Sequence, residues 1–140
     1  MTIKEAEKQI IQEFSVYDDW LDKYNFLVEM GKSLPMIDPE YQTDTYLISG
    51  CQSKVWLYAR LSDGKVIFTA DSDAIITKGI ISLLIRVFSG QAPDDILHAD
   101  LTFIDQIGLK ENLSPNRSNG LVSMIKQMKL YAQVFKMKQG

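Results

Sequence analysis

The sequence is poor in the two side chains that most often build metal and redox sites. Cys51 is the only cysteine and His98 the only histidine among 140 residues. One cysteine excludes an internal disulfide, a zinc knuckle and an iron–sulfur cluster held by the cysteines of a single subunit. A nucleophilic pair of Cys51 and His98 would need an orienting group that the sequence does not announce. We therefore predict no metal site and interpret His98 as a surface or capping residue.

Long apolar runs, an excess of basic residues and a glycine-rich phosphate loop are missing as well. The apolar runs are too short to span a bilayer and no signal-peptide pattern opens the chain, so we expect a cytoplasmic protein without a membrane partner. A net charge of −3 and a pI near 5.1 disfavour a nucleic-acid partner, for which a basic face is expected. Phosphoryl transfer and glycoside hydrolysis have no visible residues to support them.

The first third of the sequence predicts two helices. A capping box and apolar residues at helical intervals predict the first helix over Ile3–Ser15. Asp18 or Asp19 is expected to cap the second helix, which Gly31 is expected to end. The segment Leu34–Thr43 has two prolines and no periodicity, which favours an ordered loop.

The middle of the sequence predicts three antiparallel strands. Asp44–Ile48, Val55–Leu61 and Val66–Ala70 are rich in β-branched and aromatic residues. Asp63 and Gly64 lie between the second and third strands, and this dipeptide is a strong hairpin signal.

The remainder of the sequence is predicted to be helical. Asp71, Ser72 and Asp73 offer possible N-caps for a helix over Ala74–Ser89, with Gly79 inside it for close packing against the sheet. Two short helices, Pro93–Leu97 and one after Asp100, are expected before a C-terminal helix. The apolar side of that last helix is expected to carry Leu121, Met124, Ile125, Met128, Tyr131 and Val134. Together these elements predict an α+β domain over residues 1–140, with helices packed against a small three-stranded antiparallel sheet.

Cys51 lies in the segment Ile48–Ser53, between the first two predicted strands. A turn at the edge of the sheet would let a reactive thiol meet a partner, and Gly50 permits a positive φ there. A free cysteine can also simply fill a gap in the core. The helix starts at Asp73 and near Arg117 are candidates to face the thiol and set its thiolate fraction. With no second cysteine to form an intramolecular disulfide, whatever Cys51 receives must pass to another molecule, as in a carrier.

Three separated segments of the sequence share their order and spacing with one known family. They are Gly50–Ser53 followed by Val55–Trp56, Asp71–Ala74 followed by Lys78–Gly79, and Leu113–Ser118 followed by Gly120–Leu121. They resemble the three signature segments of the SufE family of sulfur acceptors, which shares a fold with IscU-type scaffolds. The likeness covers nearly the whole chain, and three motifs in register are far more specific than a lone cysteine.

The resemblance implies an accessory protein that takes a sulfane sulfur from a PLP-dependent cysteine desulfurase, stimulates that enzyme, and passes the sulfur on for iron–sulfur cluster assembly. In the family the cysteine that matches Cys51 becomes a persulfide. The PLP belongs to the partner, so no cofactor is expected in this chain. A downstream scaffold complex is the other implied partner, and the sequence leaves a homodimer open. Because this chain lacks the additional cysteines of IscU-type scaffolds, we do not expect a cluster to be built on it.

Asp73 and Arg117 match the acidic and basic positions that matter for function in the family. Each also has a structural interpretation: Asp73 as a helix cap, and Arg117 as a hydrogen-bonding tie between the C-terminal helix and the cysteine segment.

Three other functions are compatible with the residues. A paralogous family of sulfur acceptors shares these segments and serves a second desulfurase. A non-catalytic interaction module would bind a protein through Trp20, Trp56 and exposed apolar residues, with Cys51 incidental. A thiol peroxidase with an external reductant would lose its thiol quickly to peroxide without any desulfurase.

Overall fold

The computed structural model describes residues 1–35 and 37–139, which form seven α-helices, two β-strands and two 3-10 turns. The helices are α1 (Ile3–Phe14), α2 (Trp20–Lys32), α3 (Ile75–Phe88), α4 (Pro93–Leu97), α5 (Phe103–Gln106), α6 (Leu109–Asn112) and α7 (Pro115–Gln139). The strands are β1 (Val55–Ser62) and β2 (Lys65–Ser72), and the 3-10 turns are Pro39–Tyr41 and Asp44–Tyr46.

Helix α3 lies at the centre of the fold. It packs against β2, α1, α2 and α7, and ten of its residues are buried. The sheet presents Val55, Leu57 and Ala59 of β1 and Val66, Phe68 and Ala70 of β2 to this core. Alternation of buried and more exposed residues along both strands follows from the two-residue period of a strand. The predicted α+β class is therefore confirmed.

The sheet has two strands among the described residues, so the prediction of three strands is wrong. Strands β1 and β2 pair antiparallel from Val55↔Ser72 to Ser62↔Lys65, and Asp63 and Gly64 both have positive φ in the tight turn between them. In the predicted first strand, Asp44–Ile48, the backbone N–H groups of Tyr46 and Leu47 donate to Thr43 and Asp44. Because these local bonds form a 3-10 turn, the strand-like pairing of this segment with β1 is limited to an isolated bridge, Leu47↔Trp56.

The N-terminal helices confirm most of the predicted features. The Thr2 side chain and the Glu5 side chain make both bonds of the capping box, and Asp19 caps α2 through the backbone N–H of Asp22. Gly31, however, does not end α2, which continues to Lys32. The predicted loop Leu34–Thr43 contains one 3-10 turn, and its Met36 lies outside the described residues.

Gly79 packs against α2, and its predicted packing against the sheet is wrong. A Cβ on Gly79 would lie 2.9 Å from the Cγ of Leu27, and a Cβ on Gly31 would lie 2.7 Å from the backbone nitrogen of Gly79. The two glycines therefore permit the close crossing of α2 and α3.

The C-terminal helix begins near Arg117 as predicted, but one residue of its expected apolar side departs from the prediction. It begins at Pro115, so Arg117 lies in its first turn, and the Oγ of Ser114 accepts the backbone N–H of Arg117. Val134, expected on the apolar side, is 42% exposed. Among residues 1–35 and 37–139, no helix is long and apolar enough to cross a membrane. A single domain over 1–140 stays a prediction, and Gly140 lies outside the described residues.

Candidate functional site

Cys51 lies on a short loop whose two ends are held together. We call Ser49–Lys54 the cysteine loop. At its base the backbone N–H of Ile48 donates to the carbonyl of Val55 over 2.8 Å, next to the bridge between Leu47 and Trp56. The loop therefore leaves the edge of the sheet and returns to it, as the sequence predicted for a turn at this position.

The thiol of Cys51 points back toward α7. Its Sγ lies 3.7 Å from the carbonyl oxygen of Gly120, to which the S–H donates, and the side chain packs against the hydrophobic core. Gly120 is buried, and a Cβ there would lie 3.6 Å from the Sγ, so the absence of a side chain lets the sulfur approach the helix. Burial raises the pKa of the Cys51 thiol above its ordinary value. At rest the thiol is therefore protonated at neutral pH.

A very small cavity surrounds the thiol. Its volume is about 10 Å³, close to the minimum that a single water requires. The lining includes residues from the loop and from the first half of α3 and of α7: Cys51, Gln52, Ser53, Thr77, Ile80, Asn116, Arg117, Gly120 and Met124. The two helix starts that the sequence proposed as neighbours of the thiol, near Asp73 and Arg117, are thus brought together around it.

A hydrogen bond and a close approach of the backbone to α7 position the loop over this cavity. The hydroxyl oxygens of Ser53 and Thr77 lie 3.1 Å apart in a hydrogen bond, and Thr77 is buried. Gly50 has a φ of 89°, and a Cβ there would lie 2.6 Å from the Oγ of Ser123 on α7. A residue with a side chain at position 50 would meet both backbone strain and this hydroxyl, so the closed loop needs glycine here.

Asp73 fixes the C-terminal end of the cysteine loop. Its carboxylate accepts the backbone N–H of Lys54 over 3.0 Å, while the carbonyl of Lys54 accepts the Ser72 hydroxyl over 2.8 Å and the Asp73 backbone N–H. The interpretation of Asp73 as a helix cap is wrong, because the N-cap of α3 is Ala74 and no side chain caps it. The backbone N–H of Ala74 instead donates to the Oγ of Ser72. Asp73 and Ser72 therefore fasten Lys54 to the segment that leads into α3, and they support the loop that carries Cys51.

Arg117 lines the same cavity as Cys51 from the first turn of α7. The residue is exposed, and within residues 1–35 and 37–139 its guanidinium makes no hydrogen bond or ion pair. The predicted hydrogen-bonding tie between α7 and the cysteine loop is thus not made by this side chain. An arginine that lines the cavity without a fixed partner is placed to meet an anion at the thiol.

Comparison with known proteins identifies the family. The SufE family, described as an Fe–S metabolism associated domain, matches residues 8–132. An uncharacterized SufE-like protein of Rhizobium etli is 39% identical over 131 residues, which are 90% of this chain and 88% of the relative. An uncharacterized SufE-like protein of Rhizobium meliloti is 37% identical over 130 residues, which are 89% of this chain and 93% of the relative. This chain belongs to the SufE family.

The fold of this SufE-family chain is similar to that of a solved protein. The solution structure of a hypothetical protein from Thermus thermophilus matches with a TM-score of 0.75 at 22% identity, over 91% of this chain and 93% of that chain. At this identity the likeness supports the fold alone. The family expected from the three sequence segments is confirmed, and SufE membership implies sulfur transfer together with a cysteine desulfurase.

His98 lies apart from the thiol of this SufE-family chain. Its Nδ1 is 2.8 Å from the carbonyl oxygen of Asp94 in α4, and it lines a separate cleft with residues of α1 such as Lys4 and Glu7. A nucleophilic pair of His98 and Cys51 is therefore not formed. Across the described residues no group of three or more histidine, cysteine, aspartate or glutamate side chains could hold a metal ion.

Sequence reasoning missed the residues that hold the SufE cysteine loop closed. Thr77 is a polar residue on the buried face of α3, three positions before Ile80 and seven before Leu84, and that pattern could have singled it out. Ser123 gave no such signal, because its contact with Gly50 depends on how α7 crosses the loop.

Proposed function

We propose that this protein accepts a sulfane sulfur from a PLP-dependent cysteine desulfurase onto Cys51, stimulates that enzyme, and releases the sulfur for iron–sulfur cluster assembly. The observation that carries the proposal is the position of the lone thiol, in a cavity of about 10 Å³ beneath a loop with two fastened ends. Such a cavity has room for little more than one added atom, and the terminal sulfur of a persulfide is one atom.

The proposed transfer balances without any external oxidant or reductant. The Cys51 thiolate attacks the outer sulfur of a persulfide on the donor, so one S–S bond forms while another breaks and the donor cysteine leaves as a thiolate. The proton lost from Cys51 passes to the departing thiolate or to solvent. Release to an acceptor repeats the same exchange, which is why a carrier needs no second cysteine of its own.

Access to the thiol requires the cysteine loop to move. In the closed loop burial raises the pKa of Cys51, and the Gly120 carbonyl accepts the S–H, so both features favour the unreactive thiol. Moving the loop outward breaks the Ser53–Thr77 bond and exposes the sulfur to water and to the donor. Contacts with the docked desulfurase supply the free energy of opening, as binding must favour the open state over the closed one.

Arg117 and Asp73 support different steps in this proposal. The Arg117 guanidinium is placed to stabilise the thiolate or the terminal sulfur anion at the cavity. Asp73 keeps Lys54 in place, so the loop moves about a fixed end. The PLP stays in the desulfurase, and this chain needs no cofactor for the exchange. The cytoplasmic setting, expected from the sequence, and the downstream scaffold complex, implied by the family resemblance, belong to the same proposal, which leaves a homodimer open.

The state of the thiol disfavours a peroxidase. Thiols that react rapidly with peroxide have a lowered pKa and are accessible to solvent. Cys51 is partly buried and its pKa is raised, so the closed loop protects it from oxidants. The alternative of an interaction module built on tryptophan is also disfavoured, because Trp20 and Trp56 are both partly buried.

A desulfurase assay tests the proposed function. Alanine release from cysteine by a purified cysteine desulfurase is measured with wild-type protein and with Cys51→Ser, after circular dichroism has shown that both are folded. We expect the wild-type protein to accelerate the release and Cys51→Ser to have no effect. Equal acceleration by the two proteins would overturn the proposal.

A further inference from the structure

Helix α7 carries apolar side chains on its solvent side as well as on its core side. Val122, Leu130, Val134 and Met137 are 51%, 54%, 42% and 71% exposed. Their spacing of eight, four and three residues places them along one face of the helix, over roughly 22 Å. We call these four residues the α7 stripe. The opposite side of the same helix, with Leu121, Met124, Met128 and Ala132, is buried in the core.

The helix that bears the stripe is basic along its whole length. Its sequence from Pro115 to Gln139 contains one arginine and four lysines and no acidic residue, although the chain as a whole has a net charge of −3. Two of these lysines have partners within the chain: Lys129 donates to the carbonyl of Ala99, and Lys136 pairs with Asp94. Lys126 lies within the α7 stripe, between Val122 and Leu130, and is exposed, as is Lys138 beside Met137.

We propose that the α7 stripe docks an amphipathic helix of a partner protein, with an apolar face flanked by acidic residues. Apolar anchors at intervals of three, four and eight residues match the side chains that one face of a second helix presents. Carboxylates beside those anchors would pair with Lys126 and Lys138, which makes the partner complementary in charge.

The charge distribution favours this partner over two others. A second copy of α7 would bring a helix with five cations and no anion against another of the same kind, and like charges repel. An anionic lipid surface would attract α7 but repel the rest of the chain, which is more acidic than the net charge of the whole. A single acidic helix, in contrast, would contact only the basic surface of α7.

This surface goes beyond the proposed function, and three of its four residues, all except Val122, lie away from the cysteine loop along α7. Gly120 and Ser123 face the loop, whereas Leu130 and Val134 lie roughly 10 and 16 Å beyond Ser123 along the helix axis. A partner centred on those two anchors would therefore leave open the end of the molecule where Cys51 meets its donor. Binding at the stripe and sulfur transfer at the loop can be measured separately.

Peptide binding to the full chain tests the proposal. One fluorescent peptide of about 18 residues, long enough to cover the stripe, has leucines at helical spacing and glutamates at the other positions, and a second has lysine in place of every glutamate. We expect the glutamate peptide to bind at least about ten-fold more tightly than the lysine peptide, and more weakly as salt is added. The double variant Leu130→Gln/Val134→Gln should weaken that binding at least about ten-fold. The matched control is Val16→Gln/Leu21→Gln, which changes two exposed apolar residues elsewhere and should bind as wild type does.

Several outcomes would overturn the proposal. Failure of the glutamate peptide to bind, or equal binding of both peptides, would contradict the proposal that the partner helix is acidic. Binding of wild-type protein to vesicles of phosphatidylcholine and phosphatidylserine, lost in Leu130→Gln/Val134→Gln, would make the stripe a lipid surface instead. Self-association in sedimentation that the same double variant abolishes would make it a contact between copies. Stimulation of a desulfurase by that variant should equal wild type, so a failed peptide experiment leaves the proposed function standing.

Discussion

The hydroxyl oxygens of Ser53 and Thr77 lie 3.1 Å apart and join the cysteine loop to the first turn of α3. Thr77 is only 4% exposed, so its hydroxyl has little access to water when the loop is closed. A buried hydroxyl that loses its partner retains a desolvation penalty, which makes this bond a means of holding the loop closed. Because Ser53 is two residues from Cys51, we expect loss of this bond to expose the thiol more often.

Replacing Thr77 with valine should increase the reactivity of Cys51. Valine has nearly the shape of threonine but cannot bond to Ser53, so opening of the loop should become easier by about 1 kcal/mol. This corresponds to an increase of about five-fold in the rate of alkylation by iodoacetamide under native conditions. The rate is measured by intact mass at a series of times.

The matched control for this variant is Tyr131→Phe. It also removes one hydroxyl hydrogen bond, from Tyr131 to the carbonyl of Leu57, but at a distance from the loop. Its alkylation rate should equal that of wild type. Equal rates for Thr77→Val and wild type would show that the Ser53–Thr77 bond does not hold the loop.

Asp73 should act as a hydrogen-bond acceptor and not as a charge. An asparagine side chain would still offer an oxygen to the backbone N–H of Lys54, so Asp73→Asn should keep both the melting temperature and the sulfur acceptance close to wild type. Asp73→Ala removes the acceptor and should lower the free energy of unfolding by about 1 kcal/mol. Thermal denaturation and desulfurase stimulation are measured on both variants. Loss of stimulation in a fully stable Asp73→Asn variant would instead assign the carboxylate charge to partner docking.

Arg117 should matter for transfer much more than for stability. Its side chain is exposed and lines the cavity, so Arg117→Ala should change the free energy of unfolding by no more than about 0.5 kcal/mol. Stimulation of the desulfurase should fall, and Arg117→Lys should restore part of it by returning the positive charge. Arg60→Ala, at an exposed arginine of β1, is the control and should transfer sulfur normally. A large drop in melting temperature with normal transfer by Arg117→Ala would make the residue structural.

The alkylation of Cys51 should depend on pH in a defined direction. Burial raises the thiol pKa, so the folded state favours the protonated thiol over the reactive thiolate. The alkylation rate, followed from about pH 6 to about pH 10, should therefore reach its midpoint above the value of about 8.5 for an unperturbed cysteine. By linkage, the stability from the buried thiol is complete below the unfolded-state pKa and is lost as pH rises through the folded-state pKa. A midpoint below that of a free thiol would contradict the closed loop.

The sequence was a reliable guide to the elements whose hydrogen bonds are local. The capping box of Thr2 and Glu5 and the Asp63–Gly64 hairpin each depend on residues within a few positions of one another, and both form as predicted. Asp44–Ile48 has the composition of a strand, but its amides at Tyr46 and Leu47 bond locally to the carbonyls of Thr43 and Asp44, so a 3-10 turn forms there. Residue composition alone does not decide whether backbone N–H groups bond within a 3-10 turn or to a neighbouring strand.

The site was predictable where it depends on motifs and not where it depends on packing. Cys51 and Arg117 come from separate segments, and the structure places them around one cavity. Asp73 was expected at a helix start, yet its carboxylate reaches across to Lys54, a contact set by the pairing of β1 with β2. The fit of Gly50 against Ser123 depends on the position of α7 over the loop, which no local pattern encodes.

Intact mass spectrometry shows whether Cys51 holds a sulfur atom in transit. The protein is incubated with a cysteine desulfurase and cysteine, separated without reductant, and compared with a sample whose thiol was first alkylated in denaturant and refolded. We expect the untreated protein to gain the mass of one sulfur atom at Cys51 and to lose it again on addition of dithiothreitol. An untreated protein that gains no sulfur while it still accelerates alanine release would show that Cys51 does not carry sulfur between the desulfurase and an acceptor.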